Sequence, residues 1–116
     1  MIRLRRIAPE LPVENLESSL DYYQEKLGFK VALEMPSGDY AIVERDDIAI
    51  HLFQRERVGS MAIHIFVDDL EGLHEELSGR GAQITQHIER KPWGNRDFRV
   101  RDDAGNEIKF TEPLGD

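Results

Sequence analysis

With 116 residues, 40% of them hydrophobic, the chain suits one compact domain, 1–116, that buries about two-thirds of its unfolded surface. Fifteen Lys and Arg against 23 Asp and Glu leave a net charge of -8, which argues against nucleic acid and anionic membranes as partners and tilts toward a cationic one. The absence of cysteine removes disulfides, thiolate metal sites and thiol nucleophiles.

The N-terminus, "MIRLRRIAPELPV", is basic but lacks the apolar run of about 7 to 15 residues that a secretory signal needs. No stretch is long and apolar enough to span a bilayer, so a cytoplasmic location is expected. Next comes an internal repeat: "VENLESSL" at 13–20 pairs with "VDDLEGLH" at 67–74, an offset of 54 residues. Each copy ends a strand and opens a helix. Asn15 or Glu14 caps the first helix and Asp68 or Asp69 the second, with acidic residues in each first turn. Leu16, Leu20, Tyr23 and Leu27 recur at helical spacing before Gly28, and Leu70, Leu73 and Leu77 before Gly79 and Gly81, so both helices are expected to stop at glycine.

Three extended runs follow each helix. "FKVALEM", "DYAIVER" and "IAIHLFQ" follow the first, and "AQITQHIE", "RDFRVRD" and "EIKFTEP" the second, with "PSGD", "RDD", "KPWGN" and "DAGN" as turns. The chain therefore reads as α+β, two βαβββ units at about 1–56 and 57–116. Alternation assigns the faces of the strands. Ile48, Ile50, Leu52, Ile63, Ile65, Val67, Ile108 and Phe110 point to the helices. Ala49, His51, Phe53, Ala62, His64, Phe66, Lys109 and Thr111 point the other way, a mixture of small, aromatic and polar groups that suits a pocket lining. His74 and His87 read as surface residues. Ser18, Ser19, Ser37, Ser60 and Ser78 sit at caps, helix faces or turns with no spaced His and Asp, so no catalytic triad is proposed.

The two βαβββ units, with "VENLESSLDYYQEKLGF", "HIFVDDLEGL" and "RDDAGNEIKF", resemble the vicinal oxygen chelate superfamily over nearly the whole chain. Within it, "PELPVENLESSLDYYQEKLGF", "ERDDIAIHLF" and "KPWGNRDFRVRDDAGNEIKF" are most similar to bleomycin resistance proteins. The resemblance implies a curved mixed sheet in each half, helices on the convex side and a ligand site in a concave cup. It also implies a homodimer with clefts between subunits and an exchanged N-terminal strand, in which Pro9 matches a proline of the relatives.

Metal-dependent members of that superfamily carry His, Glu or Gln, His and Glu at four positions. Here the first and third fall on Ala8 and Ala62, the second on Ala49 or His51, and the fourth on Lys109, a cation where a carboxylate is needed. No cofactor and no metal are therefore expected. A displaced site built from His51, His64 and Glu10 is the competing idea, set against histidines that merely line a pocket by hydrogen bonding. Trp93, the single tryptophan, lies in the "KPWGN" turn. It either buries itself over the core or serves, as the resemblance implies for the "PWG" tryptophan, as a stacking wall.

Two functions follow. The first is a metal-free binding protein that sequesters a bleomycin-like or other aromatic small molecule through His51, Phe53, His64, Phe66, Trp93 and Lys109, with no catalytic residue. The second is a lyase, isomerase or dioxygenase with a displaced metal, or an enzyme using a histidine base without metal.

Overall fold

Two helices begin where the sequence supplies a side-chain acceptor for orphan backbone N–H groups. The computed structural model describes residues 1–56, 59 and 61–113. Asn15 accepts from the Ser18 N–H at 3.0 Å to open α1, Leu16–Glu25, and Asp69 accepts from the Gly72 N–H at 3.0 Å to open α2, Leu70–Arg80. Of the alternatives, Asn15 and Asp69 are thus the caps. α2 ends as expected in a left-handed glycine, Gly81, whose φ of 83° a side chain would resist. α1 differs: its C-cap is Lys26 in a right-handed conformation, and the glycine at 28 lies beyond the end. Gly79 lies inside α2 and stops nothing.

The strands are β1 (Glu10–Val13), β2 (Lys30–Glu34), β3 (Tyr40–Arg45) and β4 (Ile48–Gln54) in the first half. In the second they are β5 (Ala62–Phe66), β6 (Gln83–Arg90), β7 (Arg96–Arg101) and β8 (Glu107–Thr111). They form two four-stranded sheets of order β1-β4-β3-β2 and β5-β8-β7-β6. β1 runs parallel to β4 and β5 parallel to β8, while the other neighbours are antiparallel. The fold is α+β, a pair of mixed sheets built from βαβββ units, as the spacing of helices and runs predicts. Among the described residues no helix is long and apolar enough to cross a membrane.

Each sheet buries one face. Leu11, Val13, Ile50 and Leu52 of the first half and Phe98, Val100 and Ile108 of the second have no exposed surface, and Leu16, Leu20, Tyr23 and Leu77 of the helices join the same core. Burial of this kind is the main favourable term in folding. Polar ties join the halves as well. The turn at 102–106 brings Asp102 to the Tyr23 hydroxyl, which donates to Oδ2 at 2.8 Å. Asn106 donates through Nδ2 to the Pro12 carbonyl at 2.9 Å and accepts the Met61 N–H at 3.1 Å. Asp102 Oδ1 accepts the N–H groups of Ala104 and Asn106. The "DDAGN" motif is thus a buried clasp that ties α1 and β1 to the second sheet. A second tie joins Arg45 of β3 to Glu76 of α2 through two parallel hydrogen bonds, 2.8 and 2.7 Å.

Burial, with the Asp102 carboxylate beside it, pushes the Tyr23 phenol well above its ordinary value. In the unfolded chain the same phenol ionises near pH 10. The stability of the neutral buried form is therefore intact below about pH 10 and is lost as pH rises beyond it toward the folded value. Melting temperatures are expected to fall between pH 9.5 and 11 by more in the wild type than in Tyr23→Phe, as thermal melts across that about 1.5-unit window would record.

Candidate functional site

The faces turned away from the helices carry the polar residues. In β4, Ile50 and Leu52 are fully buried while Ala49, His51 and Phe53 are half-buried on the other side. Pairing then sets their neighbours. Tyr40 lies opposite Phe53, Ile42 opposite His51, and Glu10 beside His51 on the parallel strand. The Tyr40 hydroxyl bonds Glu10 Oε2 at 2.8 Å and His51 Nδ1 at 2.5 Å. A phenol has one hydrogen, so when Glu10 takes it the His51 ring donates through Nδ1–H. Lost solvent, together with the Glu10 carboxylate, raises the Tyr40 hydroxyl above its ordinary value. Phe53 carries the Arg55 guanidinium over its ring at 5.3 Å.

The second sheet is built the same way. His64 and Phe66 are exposed on β5, stacked with ring centres 5.0 Å apart. Lys109 lies between the buried Ile108 and Phe110 and so points to this face, as its place in the strand predicts. Thr111, assigned to the same face, is buried there and bonded to His64 Nε2. Pairing aligns Gln86, Arg99, Lys109 and His64 in one row straight across the sheet. Gln86 Nε2 donates to Asp97 Oδ1 at 2.6 Å and Lys91 Nζ donates to Gln86 Oε1 at 2.8 Å.

Trp93 sits in the turn after β6, closed by the Lys91 N–H on the Asn95 carbonyl, and it remains 67% exposed. It does not bury itself over the core. His74 and His87, read as separate surface residues, meet instead: their ring nitrogens are 2.8 Å apart, and His74 packs edge-on against Phe98. A cavity of about 600 Å³ opens elsewhere, near Phe29, Ile48, Leu73 and four aspartates, and Phe66 is the single predicted site residue that lines it. Sequence reasoning missed Tyr40, Lys91 and Arg99. The alternation of β7 carried the signal for Arg99, because buried Phe98 and Val100 flank it.

The positions that the sequence resemblance assigns to metal ligands carry few donors here. Ala62 has no donor atom, Lys109 is an ammonium 3.9 Å from Glu107, and His51 and His64 are bonded to Tyr40 and Thr111 on different sheets. Among the described residues no three His, Asp or Glu side chains converge to hold a metal ion, so the displaced site with Glu10 does not assemble.

Comparison with known proteins agrees with this architecture. A bleomycin resistance protein of Geobacillus stearothermophilus is 24% identical over 127 aligned positions, covering 91% of this chain and 95% of that protein. The crystal structure of the bleomycin-binding protein from bleomycin-producing Streptomyces verticillus, complexed with copper(II)-bleomycin, superposes with a TM-score of 0.84 at 28% identity, over 98% of this chain and 100% of that one. A lactoylglutathione lyase of Agrobacterium tumefaciens superposes with a TM-score of 0.78 at 19% identity, over 93% and 92% of the two chains, a likeness of fold alone. The family profile described as Glyoxalase/Bleomycin resistance protein/Dioxygenase superfamily matches residues 3–110, and the chain belongs to that superfamily.

Proposed function

We propose that this chain is a cytoplasmic small-molecule binding protein without a resident metal, which sequesters a bleomycin-like or other aromatic ligand in a cleft between two copies. The exposure of Trp93 carries this reading. A tryptophan 67% exposed in a short turn costs solvation unless something covers its ring, and a planar ligand does so by stacking. His51, Phe53, His64, Phe66 and Lys109 supply the floor. The similarity to bleomycin-binding and bleomycin resistance proteins supports the ligand class, and the net charge of -8 suits a cationic ligand.

The second copy enters through the N-terminal arm. Residues 1–9 form no helix or strand, and Met1, Ile2, Leu4 and Ile7 are each at least 94% exposed. So much apolar surface on one arm calls for a partner, and an exchanged strand buries it. Pro9 fixes the exit of the arm, its carbonyl accepting the His51 N–H at 3.0 Å. Sedimentation velocity at micromolar concentration is expected to give a dimer, and deletion of residues 1–8 a monomer. Metal-free bleomycin is expected to raise the melting temperature of the dimer. A full-length monomer, or a dimer that bleomycin does not stabilise, contradicts the reading.

A further inference from the structure

On a chain with a net charge of -8, one face of the second sheet sets two cations side by side. Arg99 and Lys109 are register partners on β7 and β8, directly opposite each other and pointing the same way. Like charges so placed repel, unless an anion lies between them. Glu107 pairs with both cations and Asp97 with Arg99, but at ion-pair rather than hydrogen-bond distance. Arg99 Nη2 is 3.7 Å from Asp97 Oδ2, Arg99 Nη1 is 3.8 Å from Glu107 Oε1, and Lys109 Nζ is 3.9 Å from the same Glu107 oxygen. All three distances exceed hydrogen-bond length. Asp97 is already engaged by Gln86, and Lys91 already bonds Gln86 and Glu89. Arg99 Nε is buried with no partner among the described residues. Adjacent guanidinium and ammonium groups thus meet at one point on the sheet, ion-paired to Asp97 and Glu107 but with no side-chain hydrogen bond from either among the described residues.

The next residue along the same row is His64, whose ring stacks on Phe66. A cationic seat and an aromatic platform therefore lie one strand apart, about 5 Å. We infer that the ligand of this face is an aromatic carboxylate: its carboxylate is held by Arg99 and Lys109 while its ring lies on the His64–Phe66 stack. Arg is suited to this task because its planar fork matches a carboxylate with two parallel bonds. The inference rests on the proposed ligand-binding role of this face and narrows the ligand within it, since a purely cationic ligand would be repelled from this half of the site.

The test uses the full-length protein and two probes that differ only in charge, 1-naphthylacetate and the neutral 1-naphthylacetamide, with metal-free bleomycin titrated in parallel. Calorimetry is expected to show the acid binding at least about tenfold more tightly than the amide, with the advantage shrinking as salt is raised. Arg99→Gln is expected to bring the acid down to the level of the amide. Lys109→Gln, on the neighbouring strand, is expected to do the same in part, and it keeps the test open should the first variant melt early. Equal binding of acid and amide overturns the carboxylate seat and leaves the cleft reading standing. So does binding of bleomycin with neither naphthyl probe. Failure of all three ligands removes both. Displacement of the acid by an equal concentration of inorganic phosphate would show a seat for a bare anion and overturn the aromatic part of the assignment.

Discussion

Replacing Asn106 with alanine is expected to lower the unfolding free energy by about 3 to 5 kcal/mol, because each buried partner left unsatisfied costs about 1 to 3 kcal/mol. Two buried partners are left at once, the Pro12 carbonyl and one bond of the Asp102 carboxylate, together with the part-buried Met61 N–H. Asn106 itself has no exposed surface, so water cannot take its place without opening the turn. Urea denaturation followed by circular dichroism measures the loss. Asp103→Ala is the comparison, since its bonds to Ser18 and Ser19 are part-buried or exposed, and it is expected to cost under about 2 kcal/mol. A midpoint for Asn106→Ala equal to that of the wild type would mean that the clasp does not hold the halves together.

Trp93→Ala is the second large change, and it is expected to act on binding alone. The side chain is 67% exposed, so its removal should move the melting temperature of the free protein little. Loss of a stacking surface weakens a bound aromatic group by about 1 to 3 kcal/mol on other stacking platforms, and a similar loss is expected here. Trp93→Phe should restore part of it. Titration calorimetry with metal-free bleomycin, wild type against both variants, measures the effect. An unchanged affinity in the alanine variant would place the ligand away from the turn at 91–95.

The sequence made some of this legible and hid the rest for physical reasons. Alternation is local, so Ile50 and Leu52 could be assigned inward and His51 and Phe53 outward without knowing any partner strand. Caps are local as well, which is why Asn15 and Asp69 stood among the candidates. Register between strands is not local. Arg99 becomes interesting only when it is known to face Lys109, and Tyr40 only when its hydroxyl meets Glu10 and His51. The "DDAGN" turn was visible as a motif, yet its role depends on Tyr23 and Pro12, both far away in sequence. His74 and His87 meet because α2 packs on β6, which no spacing within either segment announces.

The central claim, a ligand cleft walled by Trp93 and completed by a second copy, is tested most directly by intrinsic fluorescence. The chain has one tryptophan, so the emission reports on that residue alone. Metal-free bleomycin added up to about 100 micromolar, enough to populate even a modest complex, should quench the dimer saturably at one ligand per chain. The same titration of the protein lacking residues 1–8 should show the quenching lost. Emission that stays constant across the whole titration of the full-length dimer would contradict the account.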